Sequence, residues 1–131
     1  MYTPVFIVPS VAKRPILEFS KENQSIKIEY IAESRHCHSG NIVQGGYVTG
    51  WIDSAMAHSV MIPTDFEFSP LTLELKITFL KSANPGIVIA AAKVIKLGKS
   101  VAFVEGTLSS ICFKHWLKFH RKYIFLNYLY F

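Results

Sequence analysis

The segment GGYVTGWIDSAMAHSVM, residues 45–61, constrains the fold more than any other part of the chain. Its length and composition are typical of a helix, yet apolar side chains fall on nearly every face, so the helix must be buried on all sides. After Pro63 the pattern changes to the alternation of period two that is typical of strands. A single apolar helix can be buried only if a sheet curls around it. The sequence therefore predicts an α+β fold in which a curved antiparallel sheet wraps one long central helix.

The strands of that sheet can be assigned from alternation and turn residues. SIKIEYIAE (25–33) reads as a half-buried strand, and three more follow the helix, over residues 71–80, 86–98 and 100–110. Turn residues at 84–86 and 97–100 predict that these three strands form a meander. Before the first strand, residues 11–22 predict a short helix that ends at SKEN, and SRHCHSGNI (34–42) predicts a polar loop.

Composition limits the class of protein. The chain has 131 residues, half of them hydrophobic and 18% charged, which predicts one globular domain. No run of eighteen apolar residues and no signal peptide is recognisable, so we expect no membrane span and a cytoplasmic location. Cys37 and Cys112 have no metal or redox spacing and are expected to be reduced thiols.

The net charge of +5 belongs to the end of the chain. Residues 1–110 carry ten Lys or Arg against nine Asp or Glu, whereas the last twenty-one residues carry four basic side chains and no acid. Because the body is almost neutral, the basic footprint expected of a nucleic-acid-binding domain is missing, and nucleic acid is not the expected partner.

Three segments resemble a known family: GNIVQGGYVTGWIDSAMAHSVM (40–61), LTLELKITFLKSANPG (71–86) and LGKSVAFVEGTLSS (97–110). They are similar to the hotdog-fold acyl-CoA thioesterases of the phenylacetyl-CoA thioesterase (PaaI-like) group, over roughly residues 25–110. The pattern is Gln-Gly-Gly followed by an acid, with strands in register after it. The resemblance implies a hotdog fold, hydrolysis of an acyl-CoA thioester, a homodimer or homotetramer, and no cofactor beyond the coenzyme A of the substrate.

Gly45 and Gly46 begin the helix, where backbone N–H groups have no intrahelical partner and the helix dipole is positive. A glycine there lets a ligand carbonyl approach the backbone, as an oxyanion hole requires. The alternative is that the glycines only allow tight entry of the chain into the helix. We assign carbonyl polarisation to Gly45 and substrate contact to Gly46.

Asp53 has no cation three or four residues away on the helix, and an isolated buried charge is costly. A carboxylate of this kind is a candidate general base or nucleophile. It could instead reach solvent or a backbone donor where two subunits meet. The resemblance favours catalysis, because the family uses the acid at this position for hydrolysis.

The spacing of glycine and acid predicts a site shared between two subunits. Eight residues separate Gly45 from Asp53, which is about 12 Å along a helix. Attack on a carbonyl requires roughly 3–3.5 Å between the reacting atoms. An antiparallel copy of the helix, from a subunit related by a two-fold axis, would bring its own Asp53 to the glycines of the first subunit.

Other candidate site residues follow from the resemblance. Thr72 matches a family position at which a hydroxyl orients the acid or the water, although a threonine in a strand needs no such role. Gln44 stands where the family has Gln or His. His38 stands where many relatives have an Asn that helps to bind the carbonyl, and Asn41 stands where they often have Gly. Both residues therefore depart from the family pattern. Asn tolerates a left-handed backbone, which makes the second change mild.

Lysines and histidines outside this pattern are weaker candidates. Lys81, Lys96 and Lys99 lie at strand ends and turns and are candidates for the phosphates of coenzyme A. His36, Cys37 and His38 are consecutive and do not converge on one atom, so no metal site is predicted.

The last segment, residues 111–131, departs from the family. It contains no Gly, Pro or acid and holds eight of the eighteen aromatic residues, where relatives would have a turn and a last strand. We treat 1–110 as the thioesterase domain and 111–131 as an atypical basic-aromatic segment. The segment has three readings: a replaced or frame-altered end, a membrane-surface segment, or a real strand with Ile111, Phe113, His115, Leu117 and Phe119 on one face. A missing last strand would leave an unpaired gap in the sheet.

Two other functions remain open. A non-catalytic or degenerate acyl-CoA-binding hotdog module would bind without turnover. Hotdog dehydratases are a lesser alternative, because they use a His/acid pair unlike the one in this sequence.

Overall fold

The computed structural model describes residues 16–110 together with the backbone of residues 123–130. Its secondary structure is, in chain order, β1 (Ile16–Ser20), β2 (Ser25–Ala32), a 3-10 turn (Ser34–His36), β3 (Cys37–His38), a second 3-10 turn (Ser39–Asn41), β4 (Ile42–Val43), α1 (Gly45–Met61), β5 (Leu71–Ile77), β6 (Gly86–Leu97), β7 (Val101–Ser110) and β8 (Tyr123–Tyr130). Six strands form one antiparallel sheet and α1 packs against β2, β5, β6 and β7. This is the predicted hotdog architecture, an antiparallel sheet with one long central helix.

The central helix has the predicted bounds and the predicted burial. Trp51, Ile52, Met56 and Val60 are almost fully buried and belong to one core cluster with residues of β2, β6 and β7. Close packing of helix and sheet depends on Gly106, because a Cβ there would lie 3.0 Å from Cγ2 of Ile52. A side chain at this point of β7 would push α1 away from the sheet.

The predicted meander of three strands is wrong in one respect. Strands β6 and β7 do form a hairpin. The sheet order is β1-β2-β6-β7-β8-β5, however, so β5 is an edge strand that does not pair with β6. The chain between β5 and β6 crosses the beginning of α1 instead of turning back, and there the Val43 N–H donates to the Ala83 carbonyl at 2.8 Å.

The predicted helix before β2 is also wrong where the structure describes it. Residues 16–20 form an edge strand, β1, which pairs antiparallel with β2. An ion pair of 2.8 Å joins Lys27 to Glu18 across the two strands. Residues 21–24 form the tight turn between them, with Gln24 at a positive φ of 47°. Strand pairing overrides local helix propensity here, since tertiary context regularly outweighs that weak preference. Residues 11–15 lie outside the described part of the chain.

The end of the chain contributes a strand to the sheet. The backbone of β8 pairs on one side with β7 and on the other with β5, over Tyr123–Tyr130. The alternative last strand that begins at Ile111 falls on residues outside the described ranges. The gap that a missing strand would leave between β5 and β7 is thus occupied by residues near the end of the atypical segment.

Candidate active site

The acid of the central helix is held by a hydroxyl from the sheet. Thr72 Oγ1 donates a hydrogen bond of 2.7 Å to Asp53 Oδ1, across nineteen positions of sequence. Asp53 is half-buried on α1, and Thr72 lies near the beginning of β5. The sequence named both residues, and the structure brings them together.

A β-bulge gives Thr72 its direction. Thr72 pairs with Leu129 and Glu74 pairs with Tyr128, so Leu73 is an extra residue without a partner position in β8. In a regular strand, residues 72 and 75 would point to opposite faces. The bulge places Thr72 on the same face as Leu75, which packs against the core under α1. Sequence alternation gives no sign of this bulge, because Leu73 fits the apolar pattern of the strand.

Backbone donors lie at the other end of the site, where α1 begins. Gln44 is the N-cap, and its Oε1 accepts a hydrogen bond from the Gly46 N–H at 2.8 Å. Within the described residues, no acceptor is recorded for the Gly45 N–H, which is one of the donors that a helix leaves unpaired at its start. The N–H of Gly45 is therefore the available donor, and Gln44 acts as a cap.

An aromatic ring covers Gly45. A Cβ on Gly45 would lie only 3.2 Å from Cζ of Phe79, so the ring packs against the glycine backbone itself. Phe79 is 53% exposed even so. The sequence does not mark this residue, since an aromatic side chain that follows a strand pattern carries no distinct signal.

A cavity of about 440 Å³ opens at this end of α1. Its lining includes the proposed donor Gly45, the candidates His38 and Lys81, and the exposed apolar side chains of Phe79 and Leu80. The volume lies in the range of small-molecule sites, and the mixture of apolar wall with a few polar groups is typical of them. Neither Asp53 nor Thr72 is among the lining residues.

The remaining candidates lie at different places. Asn41 has a positive φ of 58°, as its tolerance of a left-handed backbone allows, and its carbonyl accepts from Asn84 Nδ2 at 3.1 Å. Lys99 lies in the turn between β6 and β7. That turn is at the same end of the sheet as Thr72, because Val101 pairs with Tyr130 and Tyr130 pairs with Leu71. Within one chain, the structure does not bring Lys99 to the cavity that contains Lys81.

The loop before α1 is fixed to the helix by His36, a buried residue that is 2% exposed. Its backbone carbonyl accepts the Gln44 N–H at 2.8 Å, and its Nδ1 accepts the Glu33 N–H at 2.9 Å. Burial lowers the pKa of His36 below its ordinary value, Arg35 lowers the pKa further, and Glu33 opposes them. Burial also lowers the pKa of His58 on α1, against a hydrogen bond with the Ser54 carbonyl.

The described residues show neither a metal-binding cluster nor a membrane-spanning helix. No group of three His, Cys, Asp or Glu side chains there is arranged as metal ligands would be. No helix in the same part of the chain is long and apolar enough to span a membrane.

Comparison with known proteins supports the fold. The thioesterase superfamily profile matches residues 40–110, and no curated protein matches the chain in sequence. A phenylacetic acid degradation-related protein from Ralstonia eutropha superposes with a TM-score of 0.83 at 23% identity, over 98% of this chain and 92% of that one. The PaaI protein of the Escherichia coli phenylacetic acid degradation operon gives 0.73 at 14% identity, over 88% and 77%. A Streptococcus mutans protein bound to acetyl-CoA gives 0.74 at 15% identity, over 98% and 91%. The chain belongs to the thioesterase superfamily and has the hotdog fold of its PaaI-like members.

Proposed function

We propose that the protein hydrolyses acyl-CoA thioesters to a free acid and coenzyme A. The observation that carries the proposal is the hydrogen bond of 2.7 Å from Thr72 to Asp53. This bond orients a carboxylate that can act as general base, on the same helix whose first turn offers an unpaired N–H as carbonyl donor. These are the two groups that thioester hydrolysis needs. The acetyl-CoA bound to the Streptococcus mutans relative supports the choice of substrate class.

The proposed reaction takes place between two subunits. Gly45 and Asp53 are about 12 Å apart along α1, too far for one chain to hold both the carbonyl and the attacking water. A two-fold axis that packs two α1 helices antiparallel would place Asp53 of each subunit at the cavity of the other. Lys81 of one subunit and Lys99 of the other would then lie toward the same composite site, where coenzyme A phosphates could be bound.

In the proposed mechanism the thioester oxygen accepts a hydrogen bond from the Gly45 N–H, with His38 as a second donor at the cavity wall. Asp53 of the partner subunit accepts a proton from water as the water oxygen attacks the carbonyl carbon. The tetrahedral intermediate then expels the coenzyme A thiolate, which takes up the proton from Asp53. Thr72 holds the carboxylate and Gln44 holds the first turn of the helix. No cofactor enters the reaction.

Asp53→Asn tests this function. The substitution keeps the shape of the side chain but removes the base, so release of free thiol from a panel of acyl-CoA substrates should fall at least about a hundredfold. Acyl-CoA affinity, measured by calorimetry, should stay within a few-fold of the original. Glu67→Gln, which removes an exposed acid outside the site, is the matched control and should leave turnover unchanged.

Two results would contradict the proposal. Retained turnover in Asp53→Asn would remove Asp53 from the mechanism. If the unaltered protein binds acyl-CoA but releases no thiol from any member of the panel, the chain is a non-catalytic acyl-CoA-binding module.

A further inference from the structure

We propose that His36 is a positioning residue that fixes the orientation of the Gly45 N–H toward the substrate carbonyl. The inference rests on the proposed function, because it assigns a role within the same site. It begins from an observation that the site itself does not explain. A histidine that is 2% exposed lies in a polar loop, directly after the exposed Arg35, and is not among the residues that line the cavity.

The ring of His36 is held from two sides. Its Nδ1 accepts the Glu33 N–H at 2.9 Å. An acceptor at Nδ1 requires a lone pair there, so the single proton of the neutral ring is on Nε2. The ring packs edge-on against Trp51, with centroids 5.5 Å apart and planes at 86°, and lies 4.7 Å from the ring of Tyr47. Both aromatic residues are on α1, so the ring joins the loop to the first half of the helix.

The backbone of His36 transmits that position to the donor. Its carbonyl accepts the Gln44 N–H at 2.8 Å, while the Gln44 carbonyl accepts the Tyr47 N–H at 3.0 Å. The peptide group that carries the Gly45 N–H is bonded directly to Gln44. Since a peptide group is planar, fixing Gln44 on both sides fixes the direction of the next N–H. His36 therefore acts on the reaction through Gln44 and does not touch the substrate.

Protonation would break this arrangement. The Nε2 atom of His36 is buried, with no hydrogen-bond partner among the described residues. A second proton can enter only at Nδ1, where it would face the Glu33 N–H and leave two donors in contact. The titratable and charged groups beside the ring are Glu33 and Arg35 on its own turn, and the phenol of Tyr47 on α1.

Two substitutions of His36 separate the effect of the aromatic ring from the effect of the acceptor atom Nδ1. His36→Phe keeps the aromatic packing but removes Nδ1, whereas His36→Asn provides an oxygen near the position of Nδ1 without the ring. Because displacement of a catalytic donor by about 1 Å can cost a hundredfold in rate, we expect His36→Phe to lower kcat about tenfold or more. KM should change less than about threefold. In the unaltered protein, protonation of His36 should add a step at acidic pH to the pH profile of kcat. His36→Asn should recover part of kcat and should lose this acidic step.

His58→Asn is the matched control for loss of a buried histidine. His58 is 5% exposed and lies near the end of α1, away from Gly45. The variant His58→Asn should lower the free energy of unfolding while leaving kcat and the acidic step in the pH profile unchanged. If His36→Phe is folded and has the original kcat and pH profile, or loses activity only through KM, the inference is wrong.

A measurement on the unaltered protein keeps the test independent of turnover. In NMR titrations, the imidazole ¹⁵N shifts of His36 and the backbone amide shift of Gly45 should follow one titration curve. The Gly46 amide, which is capped by Gln44 Oε1, should follow it with a smaller amplitude. A Gly45 amide that does not respond when His36 titrates overturns the inference, even if thioesterase activity itself is confirmed.

Discussion

The hydroxyl of Thr72 is the contact through which the sheet orients the carboxylate on the central helix. It donates to Asp53 at 2.7 Å, and the bulge at Leu73 turns it toward the helix. A hydrogen bond to a carboxylate is worth about 1.5–3 kcal/mol, and its direction limits the orientations of the acid. Residue identity alone would not reveal this, because a threonine at the start of a strand is expected for packing reasons.

Thr72→Val should therefore lower kcat by roughly ten- to a hundredfold, because the isosteric side chain fills the same space but donates no hydrogen bond. Thr72→Ser keeps the hydroxyl and should retain most of the activity. Steady-state thiol release by both variants gives the comparison. Equal activity in Val and Ser variants would mean that the hydroxyl has no part in turnover.

The bulge in β5 predicts that a hydroxyl at residue 73 cannot replace the hydroxyl of Thr72. In a regular strand, residue 73 would replace residue 72 on the inner face. We expect that Leu73→Thr in the Thr72→Val background does not restore kcat, because residue 73 is the extra residue of the bulge. Recovery of activity in the double variant would show that β5 pairs in the regular register.

Stability should fall in mild acid because of two buried histidines. The pKa values of His36 and His58 are both lowered by burial, whereas in the unfolded chain a histidine titrates near 6.5. The unfolded state thus binds more protons as the pH falls below about 6.5, so this contribution to stability is complete above that pH and is lost below it. Urea denaturation at pH 7.5 and 5.5 should give a smaller free energy of unfolding at the lower pH. His58→Asn should reduce the difference, and an equal or larger free energy at pH 5.5 would contradict the assignment.

At the scale of elements, the sequence predicted what period and burial determine. The bounds of α1 and the positions of β2, β6 and β7 follow from apolar patterns that tertiary packing reinforces. The neighbours of β5 could not be predicted, because pairing with β8 depends on a strand far along the chain. Strand β1 was mistaken for a helix because five residues of an edge strand carry too short a pattern to distinguish the two. The sequence named Asp53 and Thr72 as candidates, and the fold brings the two into contact, whereas the packing of Phe79 on Gly45 and of His36 on Trp51 arises only in the fold.

The strand β8 gives the atypical end of the chain a testable role. Its backbone is the only described link between β7 and β5, so removal of the residues after Ser110 should open two strand edges to solvent. We expect the truncated protein to lose solubility and cooperative thermal unfolding. Asn127→Pro removes a backbone N–H in the middle of β8 and should lower Tm, while Asn127→Thr should not. A truncated protein that is as soluble and as stable as the full chain would show that β8 is dispensable.

At the scale of the whole molecule, the proposed mechanism gives each chain two half-sites, one with the carbonyl donor and one with the general base. The cavity beside Gly45 contains the proposed donor but not Asp53, and the Asp53–Thr72 pair lies about 12 Å along the helix from Gly45. The lysine candidates divide in the same way, with Lys81 at the cavity and Lys99 at the end of the sheet that contains Thr72. Two chains related by a two-fold axis would combine these halves into complete sites.

Two inactive variants can test that combination. Asp53→Ala removes the base, and Gly45→Pro removes the donor N–H. Proline is tolerated at the first position of a helix, and Gln44 before it has the extended backbone that a residue preceding proline requires, with φ −63° and ψ 135°. Gly45 is not among the residues with positive φ, so the ring can be accommodated on the backbone. Gly45→Ala is the control: its Cβ presses on Phe79 in the same way but the N–H remains, so it should keep more activity than Gly45→Pro.

Each variant alone should be inactive, because every site lacks either its acid or its donor. In a mixed dimer, one site combines the intact Gly45 of the first variant with the intact Asp53 of the second, and the other site receives both defects. Random exchange makes about half of the dimers mixed, each with one working site of two, so roughly a quarter of the original activity should return in an isologous dimer. Thiol release is measured after subunits are mixed under conditions in which fluorescence energy transfer confirms exchange. If both variants fold, dimerise and exchange subunits but no activity returns, donor and base do not come from different chains, and the shared site is wrong.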